Sequence, residues 1–173
     1  MKICKIRKVK TPVRAHATDA GIDFFVPENL LIKDLKEKNT SCPQLEYIPN
    51  QNSPSFCDEI VLKPGDSVLI PSGIKADVPA GHALIFHNKS GVGSKKQLDI
   101  LASVVDESYQ GEIHINLVNN GNNWQTIKAG DKIVQGIIMP INQEMVEEVP
   151  DEEALYGGVE TDRGSGGFGS SGS

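Results

Sequence analysis

The stretch Leu98–Val118, LDILASVVDESYQGEIHINLV, decides the fold. Two runs rich in Val, Ile and Leu flank a polar segment that carries Asp106, Ser108 and Gly111. Apolar runs of this length, bounded by turn-forming residues, read as strands that a turn connects. The same alternation runs through the rest of the chain. Candidate strands are Lys2–Val9, Ile22–Val26, Glu59–Leu62, Ser67–Ile70, His82–His87, Leu98–Val104, Glu112–Val118, Gln125–Lys128 and Lys132–Pro140. KPGD (Lys63–Asp66) and KAGD (Lys128–Asp131) are tight turns that launch strands, and VPAGH (Val78–His82) is another Pro-Gly corner. Many short strands at this spacing predict an all-β protein of the sandwich, barrel or jelly-roll kind.

Two stretches depart from this pattern. Glu28–Asn39, ENLLIKDLKEKN, places Leu30, Leu31 and Leu35 at helical spacing and predicts a short amphipathic helix. Thr40–Asp58, TSCPQLEYIPNQNSPSFCD, is rich in Pro and Asn and reads as an excursion loop. The expected organisation is one β domain over residues 1–149, with an excursion at about 28–58, followed by an arm over 150–173.

At 173 residues the chain is long enough to bury a substantial core. Its net charge of −6 argues against a general nucleic-acid binder, which needs clustered Lys and Arg. A local site for a polyanion remains compatible with that charge, particularly beside a divalent cation. No run of about 18 apolar residues is present to span a membrane. The basic start, MKICKIRKVK, lacks the apolar core of a secretory signal, so the protein is expected not to be secreted. The three cysteines, Cys4, Cys42 and Cys57, are odd in number and lack metal-like spacing. They read as reduced thiols in a cytoplasmic type of compartment.

Four stretches carry candidate chemistry, each with a plainer alternative. Asn88–Lys96, NKSGVGSKK, follows an apolar strand, and its small residues and lysines suit an anion-binding turn. The plainer reading is a solvated turn with surface lysines. In Ser103–Ile113, Asp106 can accept a proton from water, and Tyr109 stands three residues on. The alternative is an ordinary turn-forming Asp. In Ala17–Pro27, ATDAGIDFFVP, Asp19 and Asp23 bracket a glycine turn, a pattern that fits either a Mg²⁺ site or turn capping. The tail Asp162–Ser173, DRGSGGFGSSGS, is either a flexible linker or an arm. As an arm it offers a guanidinium for phosphate in Arg163 and a flat ring for a base in Phe168.

Taken in order, these stretches resemble the motifs of the trimeric, all-β dUTPase family. ATDAGIDFF, NKSGVGSK, VVDESYQGEI, AGDKIVQGIIMPI and DRGSGGFGSSG are the counterparts of its five motifs. The resemblance covers nearly the whole chain outside the excursion. It implies a distorted jelly-roll β-barrel (a β-clip) with a short helix and a mobile C-terminal arm, assembled as a homotrimer with shared active sites. It implies hydrolysis of dUTP to dUMP and pyrophosphate with Mg²⁺, which limits uracil in DNA and supplies dUMP for thymidylate synthesis.

Asp106 matches the aspartate that activates the attacking water. Tyr109 matches the tyrosine under the deoxyribose. Lys89, Ser90 and Gly91 match the phosphate turn, and Gln135 a residue near the phosphates. Arg163 matches the residue that grips the γ-phosphate, and Phe168 the ring that stacks on uracil. Gly169, Ser170 and Ser171 match residues along the phosphates. Asp23 matches the aspartate that holds a water on Mg²⁺ without ligating the metal. The strands around Asp106, about Leu98–Val105 and Gly111–Ile113, are expected to read uracil through backbone groups.

The chain departs from the family in four places: Lys89 and Lys132 stand where Arg is usual, Ser108 where Asp is usual, and Gln110 where Arg is usual. Two rival readings share parts of this pattern. One is a dCTP deaminase, or bifunctional enzyme, of the same fold. The other is a nucleotide-switched regulatory protein that meets a partner through the 28–58 excursion.

Overall fold

The structure is a computed structural model that describes residues 1–166. The expected arm residues Phe168, Gly169, Ser170 and Ser171 lie outside the described residues. The chain forms two compact units, Met1–Asn142 and a second that begins at Gln143.

In chain order the elements are β1 (Lys2–Lys5), β2 (Ile22–Phe25), α1 (Ile32–Lys38), β3 (Glu46–Pro49), β4 (Cys57–Leu62), β5 (Ser67–Pro71) and β6 (Ile74–Asp77). Then follow β7 (His82–Asn88), α2 (Ser90–Lys96), β8 (Leu98–Ala102), β9 (Val104–Val105), β10 (His114–Asn119), β11 (Gln125–Lys128), β12 (Lys132–Pro140) and α3 (Glu152–Tyr156). The strands pair in four sheets, ordered β1-β6, β5-β10-β8, β11-β4-β3 and β2-β12-β7-β9. Every pairing is antiparallel. The expected all-β character holds. The barrel does not close as a hydrogen-bonded ring among the described residues, and open sheets share one core instead.

Strict alternation explains why one face of each sheet is buried. Along β10, Ile115, Leu117 and Asn119 point inward while His114, Asn116 and Val118 are half-buried. Phe24 on β2 and Phe86 on β7 meet edge to face, with ring centroids 4.9 Å apart, in the centre of the widest sheet. The two turns read from sequence share one design. In each, the Asp side chain accepts the backbone N–H three residues back, Lys63 for Asp66 and Lys128 for Asp131. The intervening glycines, Gly65 and Gly130, adopt φ near +83° and +82°.

Three expectations change. The run Leu98–Val104 is not one strand. β8 pairs with β10, whereas β9 crosses to β7, and Ser103 marks the switch by accepting the Phe86 N–H at 2.7 Å. β1 stops at Lys5 because its only partner, β6, is four residues long. The stretch Thr40–Asp58 is more than an excursion loop, because it supplies β3 to the edge of the β4 sheet and buries Cys42, Leu45 and Cys57.

The helix α1 packs Leu35 into the core with no exposed surface. Just after it, buried Asn39 acts as a surrogate strand against β5. Its Oδ1 accepts the Leu69 N–H at 2.6 Å, and its Nδ2 donates to the Leu69 and Leu35 carbonyls. A strand edge that would otherwise carry unpaired buried groups is thereby satisfied. No helix among the described residues is long and apolar enough to cross a membrane.

Candidate active site

Asp23 sits on β2, opposite Gln135 of β12, and is 4 % exposed. Two lysines from other motifs reach it. Lys89, at the end of β7, donates to Oδ1, and the Lys132 ammonium lies 3.0 Å from Oδ2. The Lys132 contact is an ion pair out of line for a hydrogen bond, so Oδ2 accepts none among the described residues. Burial alone would raise the Asp23 carboxyl. The Lys89 hydrogen bond and the charges of Lys89 and Lys132 outweigh it and hold the group below the usual carboxylate range.

Gln135 donates Nε2 to the Asn88 carbonyl at 2.9 Å, and its Oε1 fills the space above Gly21 that any side chain there would need. The first, second and fourth motif-like stretches therefore converge on one cationic cluster: two ammonium groups around one carboxylate.

Past Lys89 the chain enters α2 at once, so the expected turn is the start of a helix at Ser90. Ser90 and Gly91 are exposed in its first turn. The Lys89 carbonyl accepts the Val92 and Gly93 N–H groups. Asn88 locks the entry to the helix by donating to Asp99 at the start of the β8 strand, 2.6 Å away. That bond, and one from the Ile100 N–H, hold the Asp99 carboxyl below its ordinary range.

The second cluster is the turn after β9. The Asp106 carbonyl accepts the Tyr109 N–H at 3.1 Å, which closes a four-residue turn. The Asp106 side chain is exposed and has no hydrogen-bond or ion-pair partner among the described residues. Tyr109 folds back over Gly111, where any Cβ would fall 2.4 Å from the phenol oxygen, and donates its hydroxyl to the Glu112 carbonyl at 2.9 Å. A glycine is required for this close approach.

The two clusters stand at opposite ends of β7. Val105 pairs with Leu84, while Lys89 follows the last residue of the strand, five positions further on. At about 3.3 Å per residue they are roughly 17 Å apart along the strand. Within one chain, Asp106 and Tyr109 are not brought to Asp23, Lys89 and Gln135. In the C-terminal unit, Arg163 is exposed and donates Nε to the Gly166 carbonyl at 3.0 Å, in a turn that also joins Thr161 to Gly164.

A sequence model of the dUTPase family matches residues 55–172. The deoxyuridine 5'-triphosphate nucleotidohydrolase of Gloeothece citriformis is 38% identical over 175 residues, covering 99% of this chain and 96% of that protein. The chain belongs to the dUTPase family. Its fold is shared with solved dUTPases. A Staphylococcus bacteriophage 80alpha dUTPase mutant with dUpNHpp aligns with a TM-score of 0.72 at 23% identity, over 99% of this chain and 98% of that one. A mutant dUTPase from phage phi11 of S. aureus, described for its coordination of a structural Mg(II) ion, aligns with a TM-score of 0.65 at 22% identity. That alignment covers 88% of this chain and 97% of the phage protein.

Among the described residues no three His, Cys, Asp or Glu side chains gather as metal ligands. Asp23 suits a more distant role. Lys89 donates to Oδ1, and Oδ2 is buried with the Lys132 ammonium 3.0 Å away, so the carboxylate faces two ammonium groups and is not placed as a direct metal ligand. Two participants escaped the sequence reading of this dUTPase-family site. Lys132 was legible as the lysine of the fourth motif but not as a partner of Asp23. Glu112 lies within the third motif-like stretch, and its own partner Arg7 is 105 positions away, with no local signal to join them.

Proposed function

We propose that this chain hydrolyses dUTP to dUMP and pyrophosphate, with Asp106 as the general base. The observation that carries the assignment is the Asp106 carboxylate. It is exposed at the head of a turn and has no partner among the described residues, as a group that must accept a proton from water requires. The water oxygen attacks the α-phosphorus, the bond from that phosphorus to the β-bridging oxygen breaks, and pyrophosphate leaves. The water proton passes to Asp106. Tyr109 lies under the deoxyribose and excludes a 2′-hydroxyl. Backbone groups of Leu98–Val105 and Gly111–Ile113 pair with uracil, so that cytosine, with reversed donors and acceptors, leaves buried groups unpaired.

Lys89, Ser90, Gly91 and Gln135 form the phosphate end, where the net positive cluster around Asp23 favours polyanions. Asp23 would hold Mg²⁺ through water, and the ion would supply charge neutralisation when bound. Residues 150–173 act as an arm that contacts bound nucleotide. Arg163 takes the γ-phosphate, Phe168 stacks on the base, and Gly169, Ser170 and Ser171 line the phosphates, expelling water. The assembly is a homotrimer in which each site combines clusters from different copies. The buried, unpaired thiols Cys42 and Cys57 are in keeping with a reducing, cytoplasmic setting. The excursion is first a structural element. Its edge strand β3, with Ile48 exposed, offers an open strand edge for a protein partner.

The test is a product assay with dUTP, dCTP, dTTP and UTP, each with Mg²⁺ and resolved by chromatography. Pyrophosphate and dUMP from dUTP alone are expected, and Asp106→Asn should lower kcat by about 10³-fold or more while nucleotide still binds. Deaminated product from dCTP would transfer the chain to the deaminase reading. Tight dUTP binding without turnover would favour the regulatory one.

A further inference from the structure

The ion pair between Arg7 and Glu112 is bidentate. Arg7 Nε lies 2.7 Å from Glu112 Oε1, and a terminal nitrogen lies 3.1 Å from Oε2. The side chains are 18% and 12% exposed, so the pair is shielded. Charge from Glu112 and Asp34 raises the Arg7 guanidinium, led by the Glu112 hydrogen bonds. Burial would raise the Glu112 carboxyl, and Arg7 together with the Gly73 N–H holds it down. Oε1 also accepts that Gly73 N–H at 2.9 Å, and the other arm of Arg7 reaches Asp34 of α1 at 3.6 Å. The Arg7–Glu112 pair is therefore a junction. It joins the N-terminal segment, the β5–β6 corner and the excursion helix to the end of the Asp106 turn.

The backbone of Glu112 connects that junction to the substrate end. Its carbonyl accepts the Tyr109 hydroxyl at 2.9 Å and lies 2.8 Å from His114 Nδ1. The following residue is pinned on both sides, Ile113 N–H to Ile74 O and Ser72 N–H to Ile113 O. Among the described residues the Tyr109 hydroxyl has one hydrogen-bond partner, and it is a carbonyl whose residue is held by Arg7. We propose that Arg7 is a positioning residue that sets selectivity at the sugar by holding Glu112, and through it Tyr109, in place. The proposal rests on the reading of Tyr109 as the platform under the deoxyribose. A small shift of that ring admits a 2′-hydroxyl, and misplacement of about 1 Å changes rates by up to about 10²-fold.

The experiment compares wild type with Arg7→Lys, Arg7→Met and the double variant Arg7→Met/Glu112→Gln. The double variant leaves no unpaired buried charge and so retains a folded chain, checked by its Tm. The ratio of kcat/KM for dUTP over UTP is read for each, together with the ratio of equilibrium affinities for dUMP over UMP. Both ratios should fall about tenfold or more in Arg7→Met and in the double variant. Arg7→Lys, which keeps the charge but not the fork, should recover part of the loss. In a Tyr109→Phe background, where the tether is already cut, the Arg7 substitution should have no further effect on either ratio. Unchanged ratios in the double variant overturn the proposal, even if activity toward both nucleotides falls together, because a merely structural pair would lower both alike. A wild-type chain that released no pyrophosphate from dUTP would overturn the hydrolase reading instead, and the dUMP/UMP binding ratio would still decide the role of Arg7.

Discussion

Replacing Lys89 with Met isolates the electrostatics of the Asp23 cluster. Asp23 is buried, Lys89 is about a quarter exposed, and Lys132 is nearly half exposed. Removing one partner of a fully buried pair costs about 3–5 kcal/mol, whereas exposed pairs contribute about 0–1 kcal/mol. Lys132 remains beside Oδ2 in the variant, which places the expected loss at about 2 kcal/mol near neutral pH. The pH dependence follows from the direction of the Asp23 shift. In the wild type the carboxyl is held below its ordinary value of 3.8, so its contribution is complete above that value and is lost as the pH falls through the folded value.

In Lys89→Met the larger of the two lowering influences is gone while burial persists, so the carboxyl rises. Protonation then relieves the variant first, so the gap of about 2 kcal/mol near pH 7 should begin to narrow as the pH falls through the variant's raised value and close only below the wild-type folded value, which lies under 3.8. Urea unfolding at fixed protein concentration reads this as a midpoint shift of about 1 M at the neutral end. Lys89→Arg, the usual residue of the family at this position, should match or exceed the wild type. A loss that is the same at every pH would refute the reasoning, because it would mean that Lys89 contributes packing and not charge.

Three further outcomes are expected. Asn39→Ala orphans the part-buried Leu69 N–H and carbonyl, while the Leu35 carbonyl keeps the backbone N–H of residue 39, and should cost about 2 kcal/mol, with faster amide exchange at Leu69. In the folded protein one thiol of three should react readily with Ellman's reagent near pH 8. Cys4 is exposed, Cys42 is buried with its thiol raised by that burial, and burial pushes the Cys57 thiol up to about 11. All three should react after denaturation. Deleting Arg163–Ser173 should leave the oligomer and Tm intact, by sedimentation and thermal melting, and abolish nearly all pyrophosphate release.

What was legible in the sequence was what local chemistry dictates. β11 and β12 match their expected limits because KAGD fixes where the turn ends and alternation fixes the face. The Asp106 turn was legible because a carboxylate, a serine and a glycine interrupt two apolar runs. The strands missed were those whose identity comes from a partner. β6, Ile-Lys-Ala-Asp, is a strand because β1 lies beside it, and β3 because β4 offers it an edge. Asn39 carries no strand signal at all. Only the tertiary position of its amide makes it a substitute for one.

The site was harder to read than the fold for a related reason. Motif-like stretches report chemistry but not adjacency. Asp23, Lys89, Lys132 and Gln135 meet because β2, β12 and β7 are neighbours in one sheet, while Asp106 attaches to the same sheet through β9 at the far end of β7. The roughly 17 Å between them along the strand exceeds the reach of one triphosphate from its α- to its γ-phosphorus. On the proposed assignment, a single copy presents a base without a phosphate cradle at one end and a cradle without a base at the other. A closed ring of identical copies resolves this, because a heterologous contact sets one end of a subunit against the other end of its neighbour. The exposed Leu101, Val104 and Met139, on β8, β9 and β12, give such a contact apolar surface to bury. On this argument the proposed trimer is a condition of catalysis, and a chain confined to the monomer should bind nucleotide poorly and turn over none.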